Sequence, residues 1–530
     1  MRTLLERLAP DQRAAAMAPP GPVLCVAPAG SGKTTTLVAR IAWLVDGGAD
    51  PATIAALTFN RRAAEELSAR LRPVVATGAG GVSVRTFHAL GLEILRDGGR
   101  SVAPLLDRET VLRSVLPGVS IAGLRRLDTV ISRLKLDLAV DLELVARDPD
   151  AGPTAQAFVA YERALANAGG LDFDDLVARA VRVLETRPDL LDRWRTRCAH
   201  LLVDEAQDLD RMQLRMALLL AAPSNRIFLV GDDDQSIYGW RLADVRRLLG
   251  LAATSLPGLR RVDLVTNYRC PRVVVERGVR LIEHNRKRFA KAIRARADAS
   301  GRLILAPTRA DATAACAAVL RSWPADDGTR AILARTNREL LPAVAACLAT
   351  EVPFRATDLE LPVESRHVDD LVNRASRALD EVPLLVRLAR VREREQPQAD
   401  PEIADVAEAL LAWAPAFPDL EALRAAIDGV RERLARLRRH DASLTLATAH
   451  GTKGLEFDHV AVIGMDEGRF PSARSVAEAE DPVRALEEER RLAYVAWTRA
   501  RRSLTLVYDP DAPSPFLLEA FDPKELEPAA

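Results

Sequence analysis

Short runs of apolar and β-branched residues recur along the chain, and a polar or glycine-bearing turn closes each of them. The first series is VLCVA (23–27), IAALT (54–58), VSVRT (82–86), HLLVD (200–204) and RIFLVGD (226–232). The second series is RLILA (302–306), RAILA (330–334), SLTLAT (443–448), HVAVIG (459–464) and SLTLVY (503–508). Because helical patterns such as RRAAEELSARL separate most of these runs, the sequence predicts an α/β protein with two parallel-sheet domains.

Two long segments interrupt this alternation. Residues 89–195 and 358–443 are rich in Leu, Ala and Arg, and their apolar positions follow a helical period. We therefore expect a helical insertion in each α/β core. The expected division is 1–88 with 196–262 as the first core, 89–195 as its insertion, 263–357 with 444–518 as the second core, 358–443 as its insertion, and 519–530 as a tail. The chain beyond Pro510, rich in Pro and acidic residues, is expected to be loosely ordered.

Composition narrows the class of protein. At 530 residues the chain is too long for one core, and 48% hydrophobic with 28% charged residues is typical of a globular protein. Lys plus Arg equals Asp plus Glu at 74 each, so a nucleic acid would have to be held by a local patch or groove. The five cysteines form no C-x-x-C pair, and no apolar run approaches the ~18 residues of a membrane span. We expect a cytoplasmic protein with no membrane partner.

The stretch VAPAGSGKTTTL, residues 26–37, resembles a phosphate-binding loop whose first glycine is replaced by Ala27. It follows a predicted strand and leads into a helix, where backbone N–H groups can face phosphates. Lys33 would reach the β- and γ-phosphates, and the hydroxyl of Thr34 would hold Mg²⁺. Ala27 is tolerable if its φ is negative. The alternative is a glycine-rich turn without a ligand, but the strand–helix context favours a nucleotide.

The stretch LLVDEAQD brings two acids to the carboxyl end of a buried strand, where parallel sheets bind their ligands. Asp204 would complete the Mg²⁺ shell, and Glu205 would polarise the attacking water. Two acids that cap the next helix are the simpler interpretation of a lone Asp-Glu pair. With a phosphate loop upstream in the same strand series, the pair indicates a nucleoside triphosphate hydrolase.

Later motifs suggest what the hydrolysis drives. GDDDQSIYGWR (231–241) follows another strand and sets Gln235, a catalytic candidate, beside Tyr238 and Trp240. NYR (267–269) and EERRLAYVAWTRAR (488–501) each offer an arginine from the second core. An arginine that reaches a γ-phosphate between the cores contributes roughly 10³–10⁵ in rate. For the second of these stretches alone, a solvated, salt-bridged helix is the preferred reading, and helical spacing does not decide between the two.

Taken in chain order, these motifs resemble those of the UvrD/Rep/PcrA group of superfamily 1 DNA helicases. The resemblance runs from Gln12 to Arg501 and covers LAPDQRAAA, APAGSGKT, LTFNRRAAEEL, RTFHAL, DEAQD, GDDDQSIYGWR, LVTNYRC, TAHGTKGLEFDHV and VAWTRAR. Alanine commonly replaces the first loop glycine in that family. Nine motifs in the family's order are far more specific than any one of them.

The resemblance implies roles for residues of the ATP site. Gln12 would read the adenine edge, Tyr268 would stack on the adenine, and Glu456 would lie near the ribose. Arg269 and Arg499 would meet the γ-phosphate, with Arg499 as the arginine finger. The expected nucleotide contacts in the loop are Ala29, Gly30, Ser31, Gly32, Lys33, Thr34 and Thr35. Thr35 stands where many relatives carry an arginine beside the adenine.

Aromatic residues just after strands of the first core predict a track for single-stranded DNA. Such rings stack bases at roughly 1–3 kcal/mol each without reading sequence. Phe59 and Trp240 are the strongest candidates, whereas core packing explains Phe87 equally well. Together with the family's DNA-contacting motifs, the expected contacts are Phe59, Asn60, Arg61, Thr86, Phe87, His88, Tyr238, Trp240, His450 and Thr452.

We therefore predict two RecA-like cores that form an ATP- and Mg²⁺-dependent motor on single-stranded and 3′-tailed duplex DNA. Polarity from 3′ to 5′ and a role in repair, recombination or defence are implied by the resemblance alone. One alternative is a DNA- or nucleotide-sensing regulatory ATPase subunit of a nuclease complex with little autonomous unwinding. Another is a simple P-loop kinase or GTPase, which the second-core arginines disfavour.

The second insertion is short for this family. In full-length relatives the corresponding 2B module is roughly twice as large, judged against an ordinary domain of ~100–150 residues. The insertion ends in a basic run that includes Arg431, Arg433, Arg436, Arg438 and Arg439. Such a run is most often a solvated helix face, although it could also grip duplex phosphates. We expect weak unwinding by the chain alone and help from a partner nuclease or repair protein.

Overall fold

The computed structural model describes residues 5–75, 77, 80–100, 102, 104–119, 121–137, 140–148, 151–357, 359–377, 381–394 and 401–527. Within these residues the chain forms two six-stranded sheets, and every strand pair in them is parallel. All the strands expected from the sequence are present. The predicted α/β class with two parallel sheets is confirmed.

The central strands of the first sheet are buried on both faces. Its strands are β1 Val23–Val26, β2 Ile54–Thr58, β3 Ser83–Thr86, β4 His200–Val203, β5 Ile227–Gly231 and β6 Arg260–Asp263. They lie in the order β3-β2-β4-β5-β1-β6. On β1, Leu24 and Val26 pack into one apolar cluster and Val23 and Cys25 into another, as the alternation of side chains along a strand requires.

Helices follow or separate these strands. They are α1 Pro10–Ala16, α2 Lys33–Asp46, α3 Arg61–Leu71, α4 Phe87–Asp97, α5 Arg108–Val115, α6 Ile121–Ser132, α7 Leu142–Arg147, α8 Pro153–Asn167, α9 Asp175–Thr186, α10 Pro188–Arg197, α11 Arg211–Ala221 and α12 Val245–Thr254. A π-helical turn, Arg133–Asp137, follows α6. Side chains cap several of the helices; Asp210, for example, accepts a hydrogen bond from the Gln213 backbone N–H at 2.8 Å.

The second sheet is built in the same way. Its strands are β9 Arg302–Pro307, β10 Arg330–Ala334, β11 Phe354–Arg355, β12 Leu444–Thr448, β13 Phe457–Val462 and β14 Ala500–Tyr508, in the order β11-β12-β10-β13-β14-β9. A small parallel pair, β7 Thr266–Asn267 and β8 Arg294–Ala295, precedes them. The helices of this part are α13 Arg272–Ile282, α14 Ala312–Ser322, α15 Leu341–Ala349, α16 Arg366–Ala375, α17 Leu384–Arg394, α18 Pro401–Trp413, α19 Leu420–Leu437, α20 Ala473–Ala477, α21 Pro482–Trp497, α22 Pro515–Ala520 and α23 Pro523–Leu526.

Two groups of helices carry apolar cores of their own. Leu112, Phe158 and Tyr161 belong to a cluster formed by α5, α6 and α8. Leu388 and Ile427 belong to a cluster formed by α16 to α19. Helices α4, α9 and α10 instead pack their apolar residues against the first sheet. The chain therefore buries two helical cores in addition to those that flank the sheets.

The expectation of a loosely ordered end is wrong for the residues that the structure describes there. Phe516 and Phe521 are buried in the core beside the second sheet. The hydroxyl of Tyr508 donates to the Leu526 carbonyl oxygen at 2.8 Å. Between the prolines and acids of this segment lies a short apolar pattern that covers one face of the second sheet. Residues 528–530 of the predicted tail lie outside the described residues.

Candidate functional site

The loop between β1 and α2 has the backbone of an anion site. Gly30 and Gly32 lie in the left-handed region, with φ of 67° and 85°, and α2 begins at Lys33. Ala27 is not one of the non-glycine residues that have a positive φ in the described chain. The condition under which alanine can replace the first glycine is therefore met, and the Lys33 ammonium donates to the Ala27 carbonyl oxygen at 3.4 Å.

The two acids of the DEAQD stretch lie at the carboxyl end of the first sheet, directly after β4. Burial, together with Glu205, raises the pKa of Asp204 to about 7, although Lys33 opposes the shift. Burial also acts to raise the pKa of Glu205, but Lys33 and Lys453 outweigh it and hold that pKa below its ordinary range. Nearby cations therefore do not offset the effect of burial on Asp204, whereas Glu205 stays ionised, as a general base must be.

Residues from both sheets line one cavity of about 790 Å³. The first-sheet side supplies Gly30, Ser31, Gly32, Lys33, Thr34, Thr35, Asp204, Glu205 and Gln235, and the second-sheet side supplies Tyr268, Arg269, Glu456 and Arg499. The predicted ATP residues are thus brought together, with two exceptions. Gln12 and Ala29 do not line the cavity: the Gln12 amide donates to the Ser31 carbonyl oxygen at 2.8 Å, and Ala29 is buried against the second sheet's core.

The lining fits a magnesium nucleotide. The Thr34 hydroxyl and the Asp204 carboxylate are hard oxygen ligands of the kind that Mg²⁺ prefers, and both line the cavity beside the phosphate loop. The Ser31 Oγ atom is buried without a hydrogen-bond partner, as expected of a group that faces a ligand. When bound, Mg²⁺ would neutralise phosphate charge; Lys33 would bind the phosphates and Glu205 would orient water.

Arg499 crosses the cavity from the second sheet to the first. Its Nη2 atom donates to Gln235 Oε1 at 3.1 Å, and Gln235 in turn donates to Asp232 Oδ2 at 2.6 Å. Its hydrogen-bond partners within the described chain are neutral oxygens, and burial, with Arg269 nearby, lowers its pKa to about 9. A buried cation without a carboxylate partner is well suited to an anionic ligand.

The NYR stretch docks directly on the phosphate loop. The Asn267 amide donates to the Ala29 carbonyl oxygen at 2.8 Å, and the Tyr268 backbone N–H donates to the Gly30 carbonyl oxygen at 2.9 Å. A Cβ atom on Gly30 would lie 2.7 Å from Asn267 Oδ1, so only glycine allows this approach. Arg269 Nε contacts Glu456 Oε2 at 2.6 Å, which holds the arginine at the cavity.

Lys453 is a site residue that the sequence analysis missed. It is buried between the sheets, forms an ion pair with Asp208 and donates to the Gln235 carbonyl oxygen at 2.6 Å. Its ammonium also lies 4.9 Å from the centre of the Tyr238 ring. The signal was present in TAHGTKGLEFDHV, where it is the one lysine of a stretch already assigned to the site.

The three successive aspartates of GDDDQ were also left unassigned. Asp232, Asp233 and Asp234 bring their carboxylate oxygens close enough together to hold a metal ion. All three instead form ion pairs with Lys291, whose side chain is fully buried, and Arg288 joins Asp234 at 2.8 Å. The Lys291 ammonium contacts all three carboxylates and the Arg288 guanidinium adds a second positive charge, so the cluster ties Lys291 and Arg288 to the first sheet.

Three aromatic rings, of which Trp240 is exposed and Phe59 and Tyr238 are half-buried, lie beside the cavity. Phe59 and Tyr238 stack on each other with ring centres 5.1 Å apart and an angle of 9° between their planes. Trp240 meets the edge of Tyr238 and is 58% exposed, with the Arg241 guanidinium 4.6 Å from its ring centre. Phe59 and Tyr238 also line this cavity, so the ring cluster and the residues of the phosphate loop share one cleft.

Two of the predicted DNA contacts, Phe87 and Thr452, have buried side chains. Phe87 is 1% exposed and packs with Leu90 in the core of the first sheet. Thr452 is 0% exposed, and its hydroxyl donates to the Ala449 carbonyl oxygen at 2.8 Å. Phe87 is the first residue of α4, where its side chain turns inward under the helix, so it offers no ring face to a base.

Phe173 is an aromatic surface residue that the sequence analysis missed. Its ring stacks on His88, with centres 3.9 Å apart, and 55% of the residue is exposed. Burial, with Arg241 nearby, lowers the pKa of His88 to about 4, although Asp174 opposes the shift. His88 is therefore neutral near pH 7 and presents an uncharged stacked pair beside Arg241.

The remaining predicted DNA contacts occupy helix starts and loops. Thr86 and Asn60 cap α4 and α3, accepting backbone N–H bonds from Ala89 at 3.2 Å and Ala63 at 2.8 Å. Arg61 is exposed and pairs with Glu65 at 2.8 Å, an ion pair weak enough to exchange for a phosphate. His450 is half-buried at the end of β12, and burial lowers its pKa to about 4.

Among the described residues, no helix is both long enough and apolar enough to cross a membrane.

Comparison with known proteins agrees with this arrangement. Residues 8–254 match the UvrD/REP helicase N-terminal domain, and residues 379–510 match the UvrD-like helicase C-terminal domain. DNA helicase II of Escherichia coli is 29% identical over 615 residues, covering 95% of this chain and 85% of that protein. The ATP-dependent DNA helicase PcrA of Staphylococcus epidermidis is 26% identical over 614 residues, covering 95% and 83%. PcrA of Staphylococcus aureus is 32% identical over 308 residues, covering 55% and 42%.

Proposed function

This chain belongs to the UvrD/REP family of helicases, and from that premise we propose that it is a motor that moves from 3′ to 5′ along single-stranded DNA. It is an ATP-hydrolysing enzyme, as DNA helicases of this family are. The cofactors are ATP and Mg²⁺, and the substrates are single-stranded and 3′-tailed duplex DNA. The proposal assigns the first sheet with α1 to α12 to one RecA-like core with its insertion, and the second sheet with α13 to α23 to the other.

The observation that carries this proposal is the shared cleft. Arg499, which directly precedes β14 of the second sheet, reaches Gln235, which follows β5 of the first sheet. Both line the cavity that is also lined by Lys33, Asp204 and Glu205. A ligand between these groups would be contacted from both sides, so its hydrolysis would alter the contact between the sheets. Phe59 and Tyr238 line the same cleft, so that movement would also shift the rings that we propose to stack on bases.

The second insertion favours translocation over autonomous unwinding. Arg431, Arg436 and Arg438 pair with Asp369, Glu351 and Glu364, and Arg439 pairs with Asp441. Arg438 also donates to the backbone carbonyl oxygens of 356 and 359. Arg431 and Arg438 are held by carbonyl oxygens as well as by acids, so these two are not available to grip a duplex. The pairs of Arg436 and Arg439 are exposed and, like that of Arg61, weak enough to exchange for a phosphate. We propose that a nuclease or repair protein assists unwinding.

The deciding experiment measures ATP hydrolysis with and without single-stranded DNA, followed by displacement of streptavidin from biotin placed at either DNA end. The motor predicts strong stimulation and faster displacement from the 5′ end, toward which a 3′-to-5′ motor travels. Stimulation with displacement from the 3′ end would reverse the polarity. A protein that binds ATP and DNA without stimulation or displacement would instead be a sensing ATPase subunit of a nuclease complex.

A further inference from the structure

A loop that carries an exposed tryptophan is held from the opposite sheet. Residues 239–243, here called the tryptophan loop, include Trp240 and Arg241 and follow Tyr238. The Gly239 backbone N–H donates to Glu488 Oε1 at 2.8 Å, and the Ala243 carbonyl oxygen accepts from Arg484 Nη2 at 3.4 Å. Both of these partners lie on α21, which packs beside the second sheet.

The fit between Glu488 and Gly239 is close. A Cβ atom on Gly239 would lie 2.3 Å from one carboxylate oxygen of Glu488 and 2.8 Å from the other. Burial raises the pKa of Glu488, although the bond from Gly239 opposes the shift. A carboxyl oxygen can accept the Gly239 N–H bond in either protonation state. The contact between Gly239 and Glu488 therefore does not depend on the protonation state of Glu488.

The loop itself is constrained. Leu242 has a left-handed backbone, with φ of 66°, which a branched side chain rarely adopts. Its backbone N–H donates back to the Gly239 carbonyl oxygen at 3.0 Å. The two anchors from α21 lie on either side of Trp240 and this residue. Such a conformation persists only where its surroundings hold it in place.

Helix α21 also leads to the ATP cavity. It ends at Trp497, and Arg499, which reaches Gln235, follows two residues later. At 1.5 Å per residue, Glu488 lies about 14 Å before the end of the helix. Arg484 and Glu488 are four residues apart and so share one helix face. One rigid element thus connects the arginine at the ATP cavity with both anchors of the tryptophan loop.

We propose that Glu488 is a positioning residue that holds the tryptophan loop so that Trp240 can stack on DNA, and that links this loop to the movement of Arg499. Glu488 does not line the ATP cavity, and its effect on DNA passes through Trp240. The inference rests on the proposed function, because it requires single-stranded DNA to bind at Trp240. It adds a cross-sheet contact through which ATP-driven movement reaches the base-stacking ring.

The test is a titration of ATPase activity with single-stranded DNA in a double-mutant cycle. Glu488→Ala is expected to raise the half-saturating DNA concentration about fivefold, which corresponds to the net loss of one typical hydrogen bond. In a Trp240→Ala background the same change should matter by less than about twofold, because its target is already gone. Glu488→Gln keeps the acceptor and should stay close to the parent. Val483→Ala, at an exposed position of the same helix, is the matched control.

Gly239→Ala guards against simple misfolding of the Glu488 variants. Its added methyl displaces the Glu488 carboxylate, so it should reproduce the effect of Glu488→Ala, and the combination should be no worse than either change alone. An equal effect of Glu488→Ala with and without Trp240, or failure of Gln to substitute, would overturn the inference. If single-stranded DNA does not stimulate the ATPase activity of the parent protein, the proposed function is overturned as well. If DNA stimulates the parent and Glu488→Ala equally, this inference alone is overturned.

Discussion

Arg499 and Gln235 join the two sheets through a hydrogen bond of 3.1 Å between Nη2 and Oε1. Gln235 lies just after β5 of the first sheet, whereas Arg499 precedes the long strand β14 of the second. Both residues line the cavity that contains the phosphate loop. The bond therefore lies where the proposed nucleotide site meets the contact between the two sheets.

Removal of either cavity arginine should separate ATP binding from turnover. Arg499→Ala and Arg269→Ala leave the phosphate loop intact, so ATP affinity should change little. DNA-stimulated hydrolysis should fall by roughly 10³-fold or more, because positive charge at the γ-phosphate is lost. Equilibrium binding of a fluorescent ATP analogue, combined with steady-state turnover, measures both quantities. Retention of full turnover by Arg499→Ala would remove it from the role of arginine finger.

Lys33→Ala and Glu205→Gln should both stop hydrolysis, but for different reasons. Loss of Lys33 removes charge that neutralises the phosphates, so ATP binding itself should weaken. Glu205→Gln keeps the shape of the site and loses only the base, so binding should persist while turnover falls by about 10²–10⁴-fold. The same binding and turnover assays separate the two variants. A Glu205→Gln protein with the parent's rate would show that another group orients the water.

Trp240 and Phe87 should respond in opposite ways. Trp240→Ala removes an exposed ring, and the free energy of single-stranded DNA binding should weaken by roughly 1–3 kcal/mol. Phe87→Leu changes a core residue, so it should lower the thermal midpoint while DNA affinity stays within about twofold of the parent. Fluorescence anisotropy with a labelled oligonucleotide and thermal denaturation measure these effects. Unchanged DNA affinity in Trp240→Ala would contradict the stacking assignment.

His88 should make stability depend on pH. Its folded-state pKa of about 4 lies below the ordinary value near 6.5, so the unfolded chain binds the proton more tightly. The contribution of the neutral His88 side chain to the free energy of unfolding is complete above pH 6.5 and is lost as the pH falls toward 4. At pH 5 the free energy of unfolding is lower by at most about 2 kcal/mol. The drop in thermal midpoint from pH 7 to pH 5 should therefore be smaller in His88→Phe. Replacement of the exposed His284 by Gln is the control and should leave that drop unchanged.

The short second insertion should limit unwinding. The chain is expected to move along single-stranded DNA but to separate a 3′-tailed duplex weakly, and only with a long tail or a partner protein. Any duplex contact by exposed arginines such as Arg433 would be sequence-blind and salt-sensitive, because it depends on counterion release. Strand displacement by the isolated chain at rising salt measures this. Processive unwinding that resists salt would contradict the prediction.

Local patterns were sufficient for most of the strands and for most of the residues that line the candidate nucleotide cavity. Buried apolar runs, such as those of β1 and β4, can be recognised in the sequence because both faces of a parallel strand are apolar. Strands β6, β7, β8 and β11 were missed. Strand β6, with the sequence RRVD, lies at a sheet edge, where exposed charged side chains hide the pattern. The stretches that carry Lys33 and Glu205 could be recognised because each motif consists of residues close together in the sequence.

The sequence by itself determined the fold class and the residues that follow each strand, because these depend on neighbours a few positions away. Tertiary structure decided which of those residues face inward: Phe87 packs in the core, while Phe173 is exposed beside His88. It also decided the contacts across the cleft, where Lys453 meets Asp208 and Glu488 meets Gly239 from more than 200 positions away. Periodicity reports only whether a position is apolar. Pairing between distant segments depends on how the two sheets pack against each other, which no local pattern records.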